Sequence, residues 1–279
     1  MNLTSQTLFD IRGRTAVLTG ATGFLGRTFA RVLLENGCRV VAIGRNPNLF
    51  DFIGKWQDEF GKTQAAGHQV DMYDHDAFGG VLDTIAADES SIHILVNNAH
   101  ELSPKTGFNV AGGDLAAASF DQWHRNLTGG AYWPALTTQK LGQQLMAHGK
   151  GSIINISSMY GIVAPCPALY AGTEFVNPPG YSAAKAAMLA LTRYTASFWG
   201  AQGVRANAIV PGPFSNVEDQ GPNSVPPDSE FVNRLKARTC LNRVGVPREL
   251  AGAIVFLASD ASAYITGQAI VVDGGWTIT

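Results

Sequence analysis

The sequence predicts an α/β fold, a single domain in which a doubly wound, mostly parallel β-sheet carries helices on both faces. Three observations lead there. First, Arg14–Thr19 (RTAVLT), a glycine-rich turn over Gly20–Gly26, a helical pattern from Phe24 to Asn36 and the β-branched run Arg39–Ile43 follow one another directly. That order opens a parallel sheet built by right-handed crossovers. Second, short apolar runs go on alternating with stretches of helical period to the carboxyl end. Third, two long stretches rich in Pro, Gly and Asn each follow a strand at its carboxyl end, where open α/β sheets bind ligands.

Each element has its own warrant. Arg14–Thr19 is a short run with an apolar centre, Ala16–Leu18, and reads as a buried strand. In the first helix Leu25, Phe29, Val32 and Leu33 recur at helical spacing, and Gly37 ends it. Gly67–Val70 reads as a weak third strand, Asp76–Ala87 as a helix and Ile92–Val96 as a fourth strand leading into Asn97-Asn98-Ala99. Phe120–His148 carries a long helical pattern broken by Gly129, Gly130 and Pro134, which predicts a kink or close packing. Ser152–Ile156, Arg205–Ile209 and Ala269–Val272 complete the strands; Tyr181–Gly200 and Arg248–Ser259 complete the helices. Ala164–Gly180 and Gly212–Asp228 break the rhythm and are expected to form active-site loops over about residues 164–180 and 212–232. No repeat or linker divides the chain, so residues 1–279 are expected to form one domain.

Composition narrows the function classes. Hydrophobic residues make up 46% of the chain and charged residues 15%, which excludes a disordered protein. A formal net charge of −2, without a basic run, gives no general pull toward nucleic acid or an anionic membrane. Met1–Arg14 lacks the order of a signal peptide, and no apolar stretch approaches the roughly 18 residues of a membrane span. Cys38, Cys166 and Cys240 form no Cys-x-x-Cys pair, which suits reduced thiols and no metal site. A cytoplasmic protein is expected.

Two motifs carry chemistry. Thr19–Gly26 (TGATGFLG) places Gly20, Gly23 and Gly26 three residues apart between a strand and a helix. Such glycines allow a tight turn, let backbone approach a pyrophosphate and permit close helix packing, while the helix amides face the phosphates. The fold expected is thus a Rossmann-type dinucleotide-binding one. After the second strand the chain reads Gly44-Arg45-Asn46, with a guanidinium where an acidic residue would hold the ribose of NAD. Arg45 suits a 2′-phosphate, favouring NADP with NAD possible; the alternative is a solvated loop residue. Asp71 either accepts from an adenine amino group or is a turn acid.

The second motif is Tyr181 and Lys185, four residues apart and so on one face of a helix. Of the seven tyrosines, Tyr181 alone has Lys at the fourth position on. A free phenol titrates near ~10, and a nearby ammonium favours its phenolate. A tyrosine so tuned exchanges a proton with a carbonyl or alcohol oxygen.

With these segments in place the sequence resembles the short-chain dehydrogenase/reductase family over essentially its whole length, and among its members the gluconate 5-dehydrogenase-like ones. The matches run in the family's order: TGATGFLG, Asp71, NNAH at Asn97–His100, Asn126, INISS at Ile154–Ser158, YSAAK at Tyr181–Lys185, Pro211-Gly212 and the ending TGQAIVVDGGW. The resemblance implies a tetrad: Tyr181 as acid/base, Ser158 hydrogen-bonding the substrate oxygen, Lys185 lowering the Tyr181 pKa and binding the nicotinamide ribose, and Asn126 holding a water. Ser157 is the adjacent competitor for the serine role. The cofactor set implied is Gly20, Thr22, Gly23, Phe24, Leu25, Gly26, Arg45, Asn46, Asp71, Met72, Asn98, Ala99, His100, Tyr181, Lys185, Pro211, Gly212 and Phe214.

Three features depart from the family's pattern. The glycine spacing resembles the family's extended branch, the rest its shorter branch. His100 stands where the family usually has Gly; it either reaches the ribose or substrate, or forms a wall. The gap from Ser158 to Tyr181 exceeds the usual spacing, and members with a similar insertion act on sugar acids and gluconate. Tyr160, Tyr170 and Glu174 either supply contacts to a polyol or are solvated loop positions. Substrate contacts are expected from Ser158, Tyr160 and Tyr181.

The expected activity is NADP-dependent interconversion of a secondary alcohol and a ketone, on a polar sugar acid or polyol. The competing readings are a 3-oxoacyl-thioester or broad carbonyl reductase on the same residues, and a dinucleotide-binding regulator without catalysis. The family resemblance implies a homo-oligomer, tetramer or dimer, joined through Phe120–His148, Tyr181–Gly200 and the last strand.

Overall fold

A computed structural model describes residues 4–173, 176–215 and 229–279. Glu174 and most of the expected 212–232 loop, residues 216–228, lie outside the described residues. After a short amino-terminal helix α1 (Ser5–Leu8), the chain alternates β1 (Thr15–Thr19), α2 (Phe24–Glu35), β2 (Arg39–Gly44), α3 (Leu49–Phe60), β3 (Ala65–Gln69), α4 (His75–Asp88) and β4 (Ile94–Asn97). Then come α5 (Phe120–Leu127), α6 (Trp133–Met146), β5 (Ser152–Ile156), α7 (Pro167–Tyr170), α8 (Pro179–Trp199), β6 (Arg205–Pro211), α9 (Glu230–Ala237), α10 (Ala251–Ala258) and β7 (Ala269–Val272). The strands form one seven-stranded sheet in the order β3-β2-β1-β4-β5-β6-β7, and every pairing is parallel. The fold is the Rossmann-like α/β architecture that the sequence predicts.

The pleat sorts the core. In β1, Ala16 and Leu18 pack on one side with α2 and α10, while Val17 faces the other side with α4 and α6. Successive side chains point to opposite faces, so a strand between two helix layers is buried on both. β1 and β5 are buried throughout. Beneath the site a buried polar chain ties the layers: Thr137 donates to Asn97 Oδ1 (2.6 Å), Asn97 donates to Asn155 Oδ1 (2.8 Å) and Asn155 donates to Thr192 Oγ1 (2.8 Å). Fully partnered, such a chain fixes α6 and α8 against β4 and β5.

Four helices go beyond the sequence expectation: the one-turn α1 and α7, and the longer α3 and α9. α3 buries Leu49, Ile53 and Trp56, a one-sided stripe at helical spacing. α9 begins inside the expected 212–232 loop because the Ser229 side chain caps it, accepting from Val232 N, and because Val232 and Leu235 are buried. The break expected inside Phe120–His148 is a π-helical turn, Thr128–Tyr132, between α5 and α6. A Cβ on Gly130 would come within 2.6 Å of Ala184 Cβ, so the glycine lets α8 approach this turn. No described helix is long and apolar enough to cross a membrane.

Candidate active site

A cleft of about 640 Å³ opens at the carboxyl ends of β1, β2, β4, β5 and β6. One end is built by the glycine-rich turn. Gly20 has φ +67°, and a Cβ there would lie 3.0 Å from Ala99 Cα and from Asn98 Nδ2. A Cβ on Gly26 would be 2.0 Å from the Gly20 carbonyl oxygen, so this glycine serves helix packing and does not line the cleft. Gly23 caps α2 without a side-chain acceptor, which leaves the first amides of α2 for a bound anion. Asn98 holds the turn: its Nδ2 donates to the carbonyls of Thr19 and Gly20, each at 3.1 Å. Thr19 Oγ1 accepts in turn from the Asn98 and Ala99 amides, at 3.0 and 3.1 Å.

Thr22, Phe24, Leu25, Arg45, Asn46, Asp71, Met72, Ala99, Pro211, Gly212 and Phe214 all line the same cleft. Asp71 Oδ1 accepts from the Tyr73 amide at 3.1 Å and so also acts as a turn acid. Arg45 donates to Glu101 Oε1 at 2.9 Å. Glu101, Leu102, Trp133 and Ile156 line the cleft as well, beyond the set expected from sequence. Three buried polar atoms on this lining make no hydrogen bond: His100 Nδ1, Glu101 Oε2 and Trp133 Nε1. An uncapped helix N-terminus and a glycine cradle that Cβ atoms would fill together fit the pyrophosphate of a dinucleotide.

Three of the four residues expected as a tetrad, Ser158, Tyr181 and Lys185, line the deep wall, and Asn126 lies behind it. Ser158 ends β5, accepts from the Tyr160 amide at 3.2 Å and hydrogen-bonds the Tyr181 hydroxyl. Ser157 instead donates to the Lys185 carbonyl at 2.8 Å, so of the two serines Ser158 meets Tyr181. Lys185 Nζ donates to the Ile156 carbonyl at 2.9 Å and lies 5.6 Å from the centre of the Tyr181 ring. Asn126 Nδ2 donates to the carbonyls of Thr106 and Gln122, both at 2.8 Å. Its Oδ1 is therefore the acceptor facing His100 Nε2 at 3.3 Å, and His100 carries its proton there. The His100 ring meets Tyr181 edge-on at 5.1 Å, so it is a wall between Tyr181 and Asn126.

Two expectations change. Burial raises the Tyr181 pKa, only partly offset by the Ser158 hydrogen bond. Burial also brings Lys185 from 10.5 down to about 7, because the dry wall disfavours an ammonium. Both shifts favour neutral forms, which readies Tyr181 as a proton donor. His100 is likewise held well below its usual value by burial and by Lys185. Tyr160 does not line the cleft; it is buried among Met159, Leu169, Val232 and Trp276, and its hydroxyl pairs with that of Tyr170 at 2.9 Å. Among the described residues no group of three or more His, Cys, Asp or Glu could hold a metal ion.

A dinucleotide cleft that ends on a Ser–Tyr–Lys wall defines a nicotinamide-dependent oxidoreductase. Comparison with known proteins agrees. A family model described as enoyl-(acyl carrier protein) reductase matches residues 20–277. The chain is 34% identical to cis-4-hydroxycyclohexanecarboxylate dehydrogenase of Sinomonas cyclohexanicum, over 95% of this chain and 96% of that protein. It is 31% identical to gluconate 5-dehydrogenase of Gluconobacter oxydans, over 98% of each. A gluconate 5-dehydrogenase from Burkholderia cenocepacia, solved with NADP and tartrate, superposes with a TM-score of 0.80 at 30% identity, covering 99% of this chain and 100% of that one. The chain belongs to the short-chain dehydrogenase/reductase family and is a dehydrogenase acting on CH–OH groups.

Proposed function

We propose that this enzyme interconverts a secondary alcohol and a ketone of a polar sugar acid or polyol, with NADP as coenzyme and NAD as the alternative. The observation that carries the reading is the convergence of Ser158, Tyr181 and Lys185 on the wall of the cleft that begins at the glycine-rich turn, with Asn126 behind them against His100. Relatives named for gluconate, sorbose and galactitol support the substrate class. Arg45 beside the cleft supports NADP, as does the bound NADP of the Burkholderia relative.

The bound nicotinamide would exchange a hydride with the carbinol carbon. Gly20, Gly23 and the first turn of α2 would hold its pyrophosphate, and Lys185 its ribose. Tyr181 gives its proton to the ketone oxygen, or takes it back from the alcohol. Ser158 donates to the same oxygen and steadies the charge developing there. Asn126 would hold a water through which Lys185 exchanges protons with solvent. Residues 1–279 would work as one domain, assembled as a dimer or tetramer; exposed Phe120, Tyr194 and Phe198 on the outer helices support that assembly.

The test is a survey of turnover with each coenzyme across sugar acids, polyols, simple carbonyls and 3-oxoacyl thioesters. Highest kcat/KM on a sugar acid or polyol with NADP is the result expected. Preference for the acyl thioester would move the substrate reading to that class.

A further inference from the structure

Glu101 is a charged residue in this cleft that the proposed chemistry does not use. It follows Asn98–His100 directly, and its side chain is 4% exposed. Oε1 accepts from Arg45 at 2.9 Å, and buried Oε2 is ion-paired with Arg125 Nη1 at 3.5 Å. Glu101 and Arg45 both line the cleft near Asp71 and Met72. Arg45 follows β2 and Glu101 follows β4, with β1 between them, so the ion pair joins the loops on either side of the glycine-rich turn.

We infer that Glu101 sets coenzyme selectivity: by engaging Arg45 it withholds the counter-ion that a 2′-phosphate needs, so that the site admits NAD beside NADP. The inference rests on the dinucleotide reading above. A 2′-phosphate needs Arg45 as its counter-ion and must settle beside a carboxylate that already holds that guanidinium. Like charges side by side in a water-poor cleft disfavour the phosphate. Arg125 is held by Asp121 at 2.9 Å and lies over the Tyr73 ring at 4.6 Å, so of the two guanidinium groups half-exposed Arg45 is the one placed to turn toward phosphate. Burial alone would raise the Glu101 pKa, but Arg45, Tyr73 and Ser103 leave it below the usual carboxylate value. The group is therefore an anion at neutral pH.

The experiment is calorimetric titration of wild type and Glu101→Gln with adenosine 2′,5′-bisphosphate and adenosine 5′-monophosphate, alongside intact NADP and NAD. Wild type should bind the two fragments within about tenfold of each other. Glu101→Gln should tighten the bisphosphate by about tenfold or more and leave the monophosphate little changed. A wild-type ratio beyond about a hundredfold for the bisphosphate overturns the inference, and needs no variant. An unchanged ratio in Glu101→Gln also overturns it. If wild type binds none of the four nucleotides, the dinucleotide reading itself falls and takes the inference with it.

Discussion

Replacing Lys185 with methionine should stabilise the nucleotide-free protein and abolish turnover. Lys185 is 3% exposed, and burial brings its pKa from 10.5 to about 7. At about 1.4 kcal/mol per pKa unit, that shift corresponds to a cost of about 5 kcal/mol. Methionine removes this cost but leaves the Ile156 carbonyl without its 2.9 Å donor, an offset of about 1–3 kcal/mol, so the net gain is about 2–4 kcal/mol. The sign of the pH dependence follows from the depressed value. Below pH 7 the folded and unfolded chains both carry the proton, and the full cost is present. Between 7 and 10.5 the folded chain sheds its proton while the unfolded chain keeps it, so the cost fades as pH rises and vanishes above 10.5. Urea unfolding of wild type and Lys185→Met across this range reads the difference directly. A gap in stability that does not narrow as pH rises, or a variant less stable than wild type at low pH, would refute the reasoning.

Gly26→Ala should destabilise the protein by about 3 kcal/mol and weaken dinucleotide binding, because its Cβ would sit 2.0 Å from the Gly20 carbonyl oxygen. Gly54→Ala in α3, where a Cβ meets no atom within 4 Å, should instead stabilise by about 0.5–1 kcal/mol; thermal melts of the pair test both. Arg45→Ala should weaken NADP by about tenfold or more while leaving NAD little changed, as titration of each coenzyme will read. Equal losses would mean that Arg45 does not meet the 2′-phosphate.

The strands were legible because a sheet covered on both faces writes itself as short, largely apolar runs, such as Ala16–Leu18 and Ile153–Ile154. α3 carried a readable signal in Leu49, Ile53 and Trp56, but an internal glycine and adjacent aromatics obscured its period. α9 hid behind a Pro- and Gly-rich stretch, with Ser229 as its one overt cap. At the site, residues that act through local backbone were readable: the glycine turn, Ser158, and the Tyr181 and Lys185 spacing. Glu101 and Trp133 were not, because each reaches the cleft only when separate strands and helices meet. The spacing of Tyr181 and Lys185 also says nothing about burial, and burial reverses the expected pKa shift of Tyr181.

The central claim is that Tyr181 delivers the proton within a dinucleotide site that exists without it. Single-turnover reduction of the best ketone by wild type and Tyr181→Phe, with coenzyme affinity measured on the same samples, tests this most directly. Unchanged coenzyme binding with hydride transfer slowed by roughly 10²–10⁴-fold is the predicted result. Equal rates in the two proteins would contradict it.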